Sequence, residues 1–100
     1  MNHRTDKNQR EIVKGLRAAG ASVAVLAGVG FGVPDLLVGW RGVNILMEIK
    51  NLEGRGDRLT QDEANFMGAW QGQAAIVHCL CEAMQILNNN QINISRKEVT

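Results

Sequence analysis

Gly32-Val33-Pro34-Asp35-Leu36-Leu37-Val38-Gly39-Trp40, then Arg41-Gly42-Val43-Asn44, then Ile45-Leu46-Met47-Glu48-Ile49-Lys50, is the most informative stretch of this chain. The segments Asp35–Trp40 and Ile45–Lys50 are short, apolar and bounded by turn residues, which predicts two strands. Gly42 at the first central position of the connection suits a tight II′ hairpin turn. In that register Arg41 faces Asn44, and Asp35 faces Lys50. Strand side chains alternate, so Glu48 shares the face of Lys50. Directly opposed Cβ atoms lie about 5 Å apart and diagonal ones roughly 7 Å, so Asp35, Glu48 and Lys50 converge at one end of the hairpin. Two carboxylates at that separation suit a hard divalent cation, most simply Mg²⁺. A nearby ammonium can orient an attacking water or neutralise charge developing on a phosphate. A cross-strand Asp35–Lys50 ion pair at a sheet edge fits the spacing as well, and would contribute little. Two features argue for the site: the charges sit in otherwise apolar strands, and a Gly-rich turn before Asp35 permits close backbone approach.

On either side of the hairpin the pattern is that of one α/β (α+β) domain. A helix is expected from Asp6 to Ala19, because Ile12, Val13, Leu16 and Ala19 recur at helical spacing and Gly20 suits the C′ position. Ser22–Ala27 is β-branched and apolar, hence a strand. Residues 51–59 form a polar loop. Thr60-x-x-Glu63 is a capping box that opens a second helix carrying Phe66, Met67 and Trp70, closed by Gly72. Ala74–Leu80 reads as a fourth strand and Glu82–Leu87 as a short helix ended by Asn88-Asn89-Asn90. The expected order is α-β-β-β-α-β-α around one mixed sheet, a single domain over residues 1–100 with its core at about 8–88 and a weakly specified tail at 89–100.

Composition excludes several classes. Hydrophobic residues make up 45% and charged residues 21%, which excludes wholesale disorder. A net charge of +1 excludes a histone-like polycation. The positive charge is nonetheless uneven. Residues 1–17 hold Arg4, Lys7, Arg10, Lys14 and Arg17 against Asp6 and Glu11, whereas residues 61–87 hold Asp62, Glu63 and Glu82 with no Lys or Arg. Such asymmetry makes either a phosphate-tracking face or an ordinary solvated one. The polar start and the absence of a long apolar run predict a cytoplasmic protein without a signal peptide or membrane contact. His78, Cys79 and Cys81 form an H-C-x-C cluster. A closed zinc site needs four ligands, and buried, reduced thiols are the simpler expectation. Gly28-x-Gly30 starts like a dinucleotide fingerprint, but Val33-Pro34 and a strand follow where a glycine and a helix are required. Glu11 is a further acid of interest, placed at the edge of the first helix's apolar face beside the small residues Gly15 and Ala18.

Gly32-x-Pro34-Asp35 followed by Glu48-Ile49-Lys50 resembles the PD-(D/E)xK nuclease signature. The wider set resembles the virus-type replication-repair nuclease (VRR-NUC) family in its minimal, often phage-borne form. That set comprises Glu11 in an early helix, G-x-P-D-L-L-V-G, the E-x-K strand, Leu59-Thr60 at a helix start, Trp70-x-Gly72, and Glu82-Ala83. The resemblance implies a restriction-endonuclease-like core. It also implies a metal-dependent, structure-selective endodeoxyribonuclease that nicks branched DNA such as Holliday junctions in repair or recombination, acting as a homodimer. On this resemblance Asp35, Glu48 and the backbone carbonyl of Ile49 ligate Mg²⁺, with Mn²⁺ able to substitute. Glu11 completes the ligand set, and Lys50 positions the water or the scissile phosphate. Lys7, Lys14, Arg41, Arg55 and Arg58 are the candidate phosphate contacts. The chain departs from the family at the second helix, where a glutamine is common near the position of Glu63; Gln61 is the possible substitute. A non-catalytic DNA-binding or oligomerising module, or a RecB-like or archaeal resolvase-like nuclease, are the alternative readings.

Overall fold

A computed structural model describes residues 3–51 and 58–99, with side chains described for residues 7–51 and 58–89. The elements are α1 (His3–Ala18), β1 (Ser22–Val25), β2 (Leu36–Trp40), β3 (Val43–Ile49), α2 (Gln61–Ala69), β4 (Ala74–Val77) and α3 (Leu80–Val99). This is the expected order. The four strands form one sheet in the order β1-β2-β3-β4. The first three are mutually antiparallel and β4 runs parallel to β3, so the sheet is mixed.

Alternation decides which face is covered. Leu36, Val38 and Trp40 of β2 are buried, and so are Val43, Ile45, Met47 and Ile49 of β3. They meet Ile12, Val13 and Leu16 of α1 and Ala83 and Leu87 of α3 in one core. Fully burying side chains of this size is worth about 1.5–3 kcal/mol each, so the α1/α3 face carries most of the stability. The two helices approach closely at Gly15, where any Cβ would run into the Leu80 side chain. α1 ends as expected at Gly20, whose φ is +107°. The Ala21 N–H donates to Leu16 O and the Gly20 N–H to Arg17 O, both at 3.0 Å, the paired bonds of a Schellman cap.

The hairpin turn lies one residue earlier than expected. Arg41 and Gly42 are its central residues, with φ of +49° and +87°, which is the type I′ pattern, and Trp40 pairs with Val43. Arg41 tolerates the left-handed conformation while its guanidinium lies 4.7 Å from the centre of the Trp40 ring. The gain is Val43, which joins the buried face instead of occupying the turn. Extending the observed register one step beyond the Leu36–Met47 pair sets Asp35 across from Glu48, not Lys50.

Other boundaries differ as well: α1 begins at His3 rather than Asp6, and β1 stops at Val25 rather than Ala27. β4 stops at Val77, and α3 begins at Leu80 and continues through the asparagine run to Val99. Asparagine is a mediocre helix former but not a breaker, and neither Gly nor Pro follows to stop the helix. Among the described residues no helix is long and apolar enough to cross a membrane.

Candidate active site

Asp35 is the last residue before β2, and its position is fixed twice. Its carbonyl accepts from the Leu26 N–H at 2.7 Å, tying it to the end of β1. Its Oδ2 accepts from the Ile49 N–H at 2.8 Å, which draws the carboxylate across to β3. Glu48, one residue earlier on that strand, points to the face opposite the α1/α3 core. It is 3% exposed, the one charged residue buried among those described. Lys50 follows the end of β3, and its own N–H donates to Val77 O at 3.0 Å, continuing the parallel ladder with β4. Its ammonium lies 3.6 Å from Glu48 Oε2. Asp35, Glu48 and Lys50 therefore converge as expected.

A fourth residue joins them. Glu63 Oε1 is 2.8 Å from Lys50 Nζ. The same oxygen accepts from the Thr60 N–H at 2.8 Å, and the Glu63 N–H donates to Thr60 Oγ1 at 3.2 Å, completing the capping box of α2. The motif was legible in the sequence as a helix start; its reach to Lys50 was not. Gln61, the other candidate on this helix, donates from Nε2 to Asn65 Oδ1 at 2.9 Å on an exposed face.

The electrostatics follow from this crowding. Burial, reinforced by the charges of Asp35 and Glu63, pushes the Glu48 carboxyl up to about 8. Burial also raises Asp35, against the hydrogen bonds from Ile49 and Glu48 that favour its charged form. Burial works to lower the Lys50 ammonium, yet the Glu63 hydrogen bond and the charges of Glu63 and Glu48 leave it above its ordinary value. Glu63 is lowered despite burial, because Lys50 and the Thr60 N–H bind its charged form. Near neutral pH a protonated Glu48 donates toward its acidic neighbours. The cluster holds more acid than Lys50 alone can neutralise.

The remaining predicted residues are more dispersed. Glu11 is exposed, its carboxylate 4.0 Å from Lys7 Nζ, and it shares no hydrogen bond or ion pair with Asp35 or Glu48. Gly15, read as leaving room beside it, is filled by Leu80. α1 does nevertheless pass this end of the sheet. Asn8 Nδ2 donates to His78 O at 3.1 Å and to Asn51 Oδ1 at 3.4 Å, next to Lys50. Lys14 and Arg58 are exposed, Arg41 sits at the far end of the hairpin, and Arg55 lies outside the described residues. Among the described residues no three His, Cys, Asp or Glu side chains are gathered for a metal ion. His78 is engaged with Glu82, whose Oε1 lies 2.9 Å from His78 Nδ1 and 2.7 Å from the His78 backbone N–H. These bonds hold the Glu82 carboxyl below its usual range. Both cysteines are free thiols. Contrary to expectation neither is fully buried: Cys79 is half-buried, its Sγ accepting from the Glu82 N–H at 3.4 Å, and Cys81 is exposed. The short β4 puts both in the turn and first turn of α3 instead of a core strand.

No family model matches the chain, and no curated protein matches it in sequence. A solved structure described as a VRR_NUC domain does match in three dimensions. Its TM-score is 0.61 over 87% of this chain and 97% of that one, at 22% identity. The chain thus has the fold of a VRR_NUC domain, the restriction-endonuclease-like arrangement of a mixed sheet flanked by helices.

Proposed function

We propose that this chain is a metal-dependent endonuclease of the PD-(D/E)xK type that hydrolyses phosphodiester bonds in DNA. The observation that carries the reading is the convergence of Asp35, buried Glu48 and Lys50 at one end of β2 and β3, on a fold shared with a VRR_NUC domain. Half-buried Asp35, held by a backbone N–H, and buried Glu48 have only the Lys50 ammonium beside them among the described residues. Such a pair fits a hard cation, and Mg²⁺ is commonly held by one or two carboxylates with water and phosphate oxygens completing its shell. Asp35 and Glu48 are the residues to hold Mg²⁺ or Mn²⁺, with the Ile49 carbonyl beside them and Glu11 the acid α1 would bring. The ion's chemistry would be charge neutralisation at the phosphate and acidification of a water.

The chain's own residues do the rest. Asp35 is oriented by the Ile49 N–H, so its carboxylate presents a fixed edge at the mouth of the site. Lys50 donates from a cationic nitrogen whose raised pKa keeps it protonated at neutral pH, suiting it to hold a phosphate oxygen or fix the attacking water. Lys7, Lys14 and Arg58 are exposed and would lie along flanking phosphates, which makes binding salt-dependent. The sequence carries no base-reading motif, so selection by DNA structure is the favoured mode. A domain of 100 residues offers little surface for a branched substrate, so a two-fold pair of copies acting on a four-way junction completes the proposal.

The test is cleavage of labelled four-way junction, splayed-arm and plain duplex DNA in Mg²⁺, Mn²⁺ or EDTA. Metal-dependent nicking, strongest on the branched substrates and lost in Asp35→Ala and Lys50→Ala, is the expected result. Cutting that survives in a clean Asp35→Ala preparation overturns the assignment. Junction binding without cleavage in either metal establishes the non-catalytic module instead. A monomer mass in sedimentation at micromolar concentration removes the dimeric version.

A further inference from the structure

We infer that Glu63 is a positioning residue for Lys50, and that the first turn of α2 is thereby a working part of the site; the catalytic consequence rests on the nuclease reading above. One carboxylate oxygen, Glu63 Oε1, is shared between the Thr60 N–H and Lys50 Nζ, each at 2.8 Å. A lysine side chain carries four rotatable bonds and loses substantial entropy when held in one place. Here its ammonium is fixed between Glu63 at 2.8 Å and Glu48 at 3.6 Å, with only 13% of the side chain exposed. At 3.6 Å Glu48 lies beyond hydrogen-bond distance, so the partner that orients Lys50 is Glu63 at 2.8 Å.

The helix is held in turn by this contact. None of the residues of α2 is buried. Its attachment near the site comes from the Glu63–Lys50 pair and from Gly32, whose Cα lies so close to the Asp62 carbonyl that any Cβ would collide with it. Gly32 stands three residues before Asp35 in the loop leading to β2. The loop before Asp35, the end of β3 and the start of α2 therefore brace one another around the ammonium. A glutamate at N3 meets both demands at once, closing the helix and presenting a negative charge to Lys50.

The experiment measures acylation of individual lysines by a small amine-reactive ester, read by peptide mass spectrometry, beside cleavage kinetics in Mg²⁺. Lys7 and Lys14, both exposed, serve as internal references. Glu63→Ala is expected to raise Lys50 acylation about tenfold, the effect of losing one charge-assisted hydrogen bond. It should lower kcat by a similar factor while KM stays within roughly twofold. Glu63→Gln, which keeps an acceptor for the Thr60 N–H but loses the charge, should fall between, and it carries the test if Glu63→Ala does not fold. Thr60→Ala weakens the cap and leaves the carboxylate, and Gln61→Ala alters the neighbouring residue; both should leave Lys50 protected. Unchanged Lys50 acylation in folded Glu63→Ala overturns the inference, as does an equal rise in Thr60→Ala, which would assign the effect to helix stability. Absence of cleavage by the unaltered protein counts against the nuclease reading alone, since the acylation pattern decides the position of Lys50 independently.

Discussion

The Ile49 N–H donates to Asp35 Oδ2 at 2.8 Å, so the residue entering β2 is fastened to the residue leaving β3 by a bond outside the strand ladder. That bond explains how a carboxylate persists beside a second, nearly inaccessible one. Asp35→Asn keeps a carbonyl oxygen for Ile49 and removes the charge that Glu48 opposes. In EDTA near pH 9, where Glu48 is charged as well, this variant should be more stable than the parent by roughly 1 kcal/mol, since a close like-charge contact disappears. It should nonetheless lose cleavage. Chemical denaturation and the junction assay on the same sample check both halves, and a less stable Asp35→Asn would contradict the repulsion on which the metal reading leans.

Glu48 sets the pH dependence. Its carboxyl is raised from 4.5 to about 8, so between those values the folded chain binds a proton that the unfolded chain has released. Stability then falls as pH rises through that window and levels off above it. The loss should be on the order of a few kcal/mol between pH 5 and 8.5 in EDTA. Glu48→Gln, neutral throughout, should flatten the profile. Thermal melts across the range give the slope directly, and an equally steep fall in Glu48→Gln would place the titration elsewhere.

The same proton links to metal binding. A cation taken up by Asp35 and Glu48 must displace it, so Mg²⁺ binding at pH 7 should release up to about one proton. Calorimetry in two buffers of different ionisation enthalpy measures the number. Added Mg²⁺ should raise the melting temperature more at pH 8.5 than at pH 5.5, because the acid pair is then charged without competition from protons. A pH-independent Mg²⁺ effect, or one retained in Asp35→Ala, would move the ion to another place on the molecule.

How the sequence reached this site, and where it stopped short, has a physical explanation. Placing the hairpin turn at Gly42-Val43 instead of Arg41-Gly42 shifts the partner of Asp35 by two residues, from Glu48 to Lys50. Side-chain direction alternates with period two, so a shift of two preserves the face. The three residues were thus brought together through a register that was wrong in detail. Arg41 in a left-handed conformation is the part that propensity disfavours, and the burial of Val43 and the Arg41–Trp40 contact that accompany it are tertiary. Glu63 escaped for a different reason. The Thr60-x-x-Glu63 pattern is fully accounted for by local capping, so nothing in the spacing asks for a second partner, and its encounter with Lys50 is tertiary. Glu11 went the other way: small neighbours suggested room for a ligand, and Leu80 of α3 takes that room.

The loop before Asp35 supplies a stability test that needs no assumption about chemistry. Phe31 has φ of +59° between two glycines of positive φ, and its side chain is 88% exposed. A left-handed conformation costs a residue of this kind about 1–2 kcal/mol, and an exposed ring recovers little of it by burial. Phe31→Gly or Phe31→Asn should therefore stabilise the fold, by about 1 kcal/mol for the asparagine. A loss of stability in urea would mean that the ring makes contacts in solution that offset its strain.

Gly32, the next residue, should behave in the opposite way. Its φ is +79°, and the space a Cβ would need is occupied by the backbone of Asp62 and Glu63. Backbone cannot move aside as a flexible side chain can, so Gly32→Ala must either strain the loop or push the start of α2 away from the sheet. Strain alone would cost about 1–2 kcal/mol. Displacement would separate Glu63 from Lys50, so the variant should expose Lys50 to acylation much as Glu63→Ala does, although it alters no charged group. Gly28→Ala offers the comparison, since its φ of +100° imposes similar backbone strain with nothing within 4 Å of the added methyl. If both variants lose stability but only Gly32→Ala exposes Lys50, the pressure of the loop on α2 is what holds the ammonium in place. If Gly28→Ala exposes it equally, loop strain alone is enough, and the close approach at Asp62 has no special part in the site.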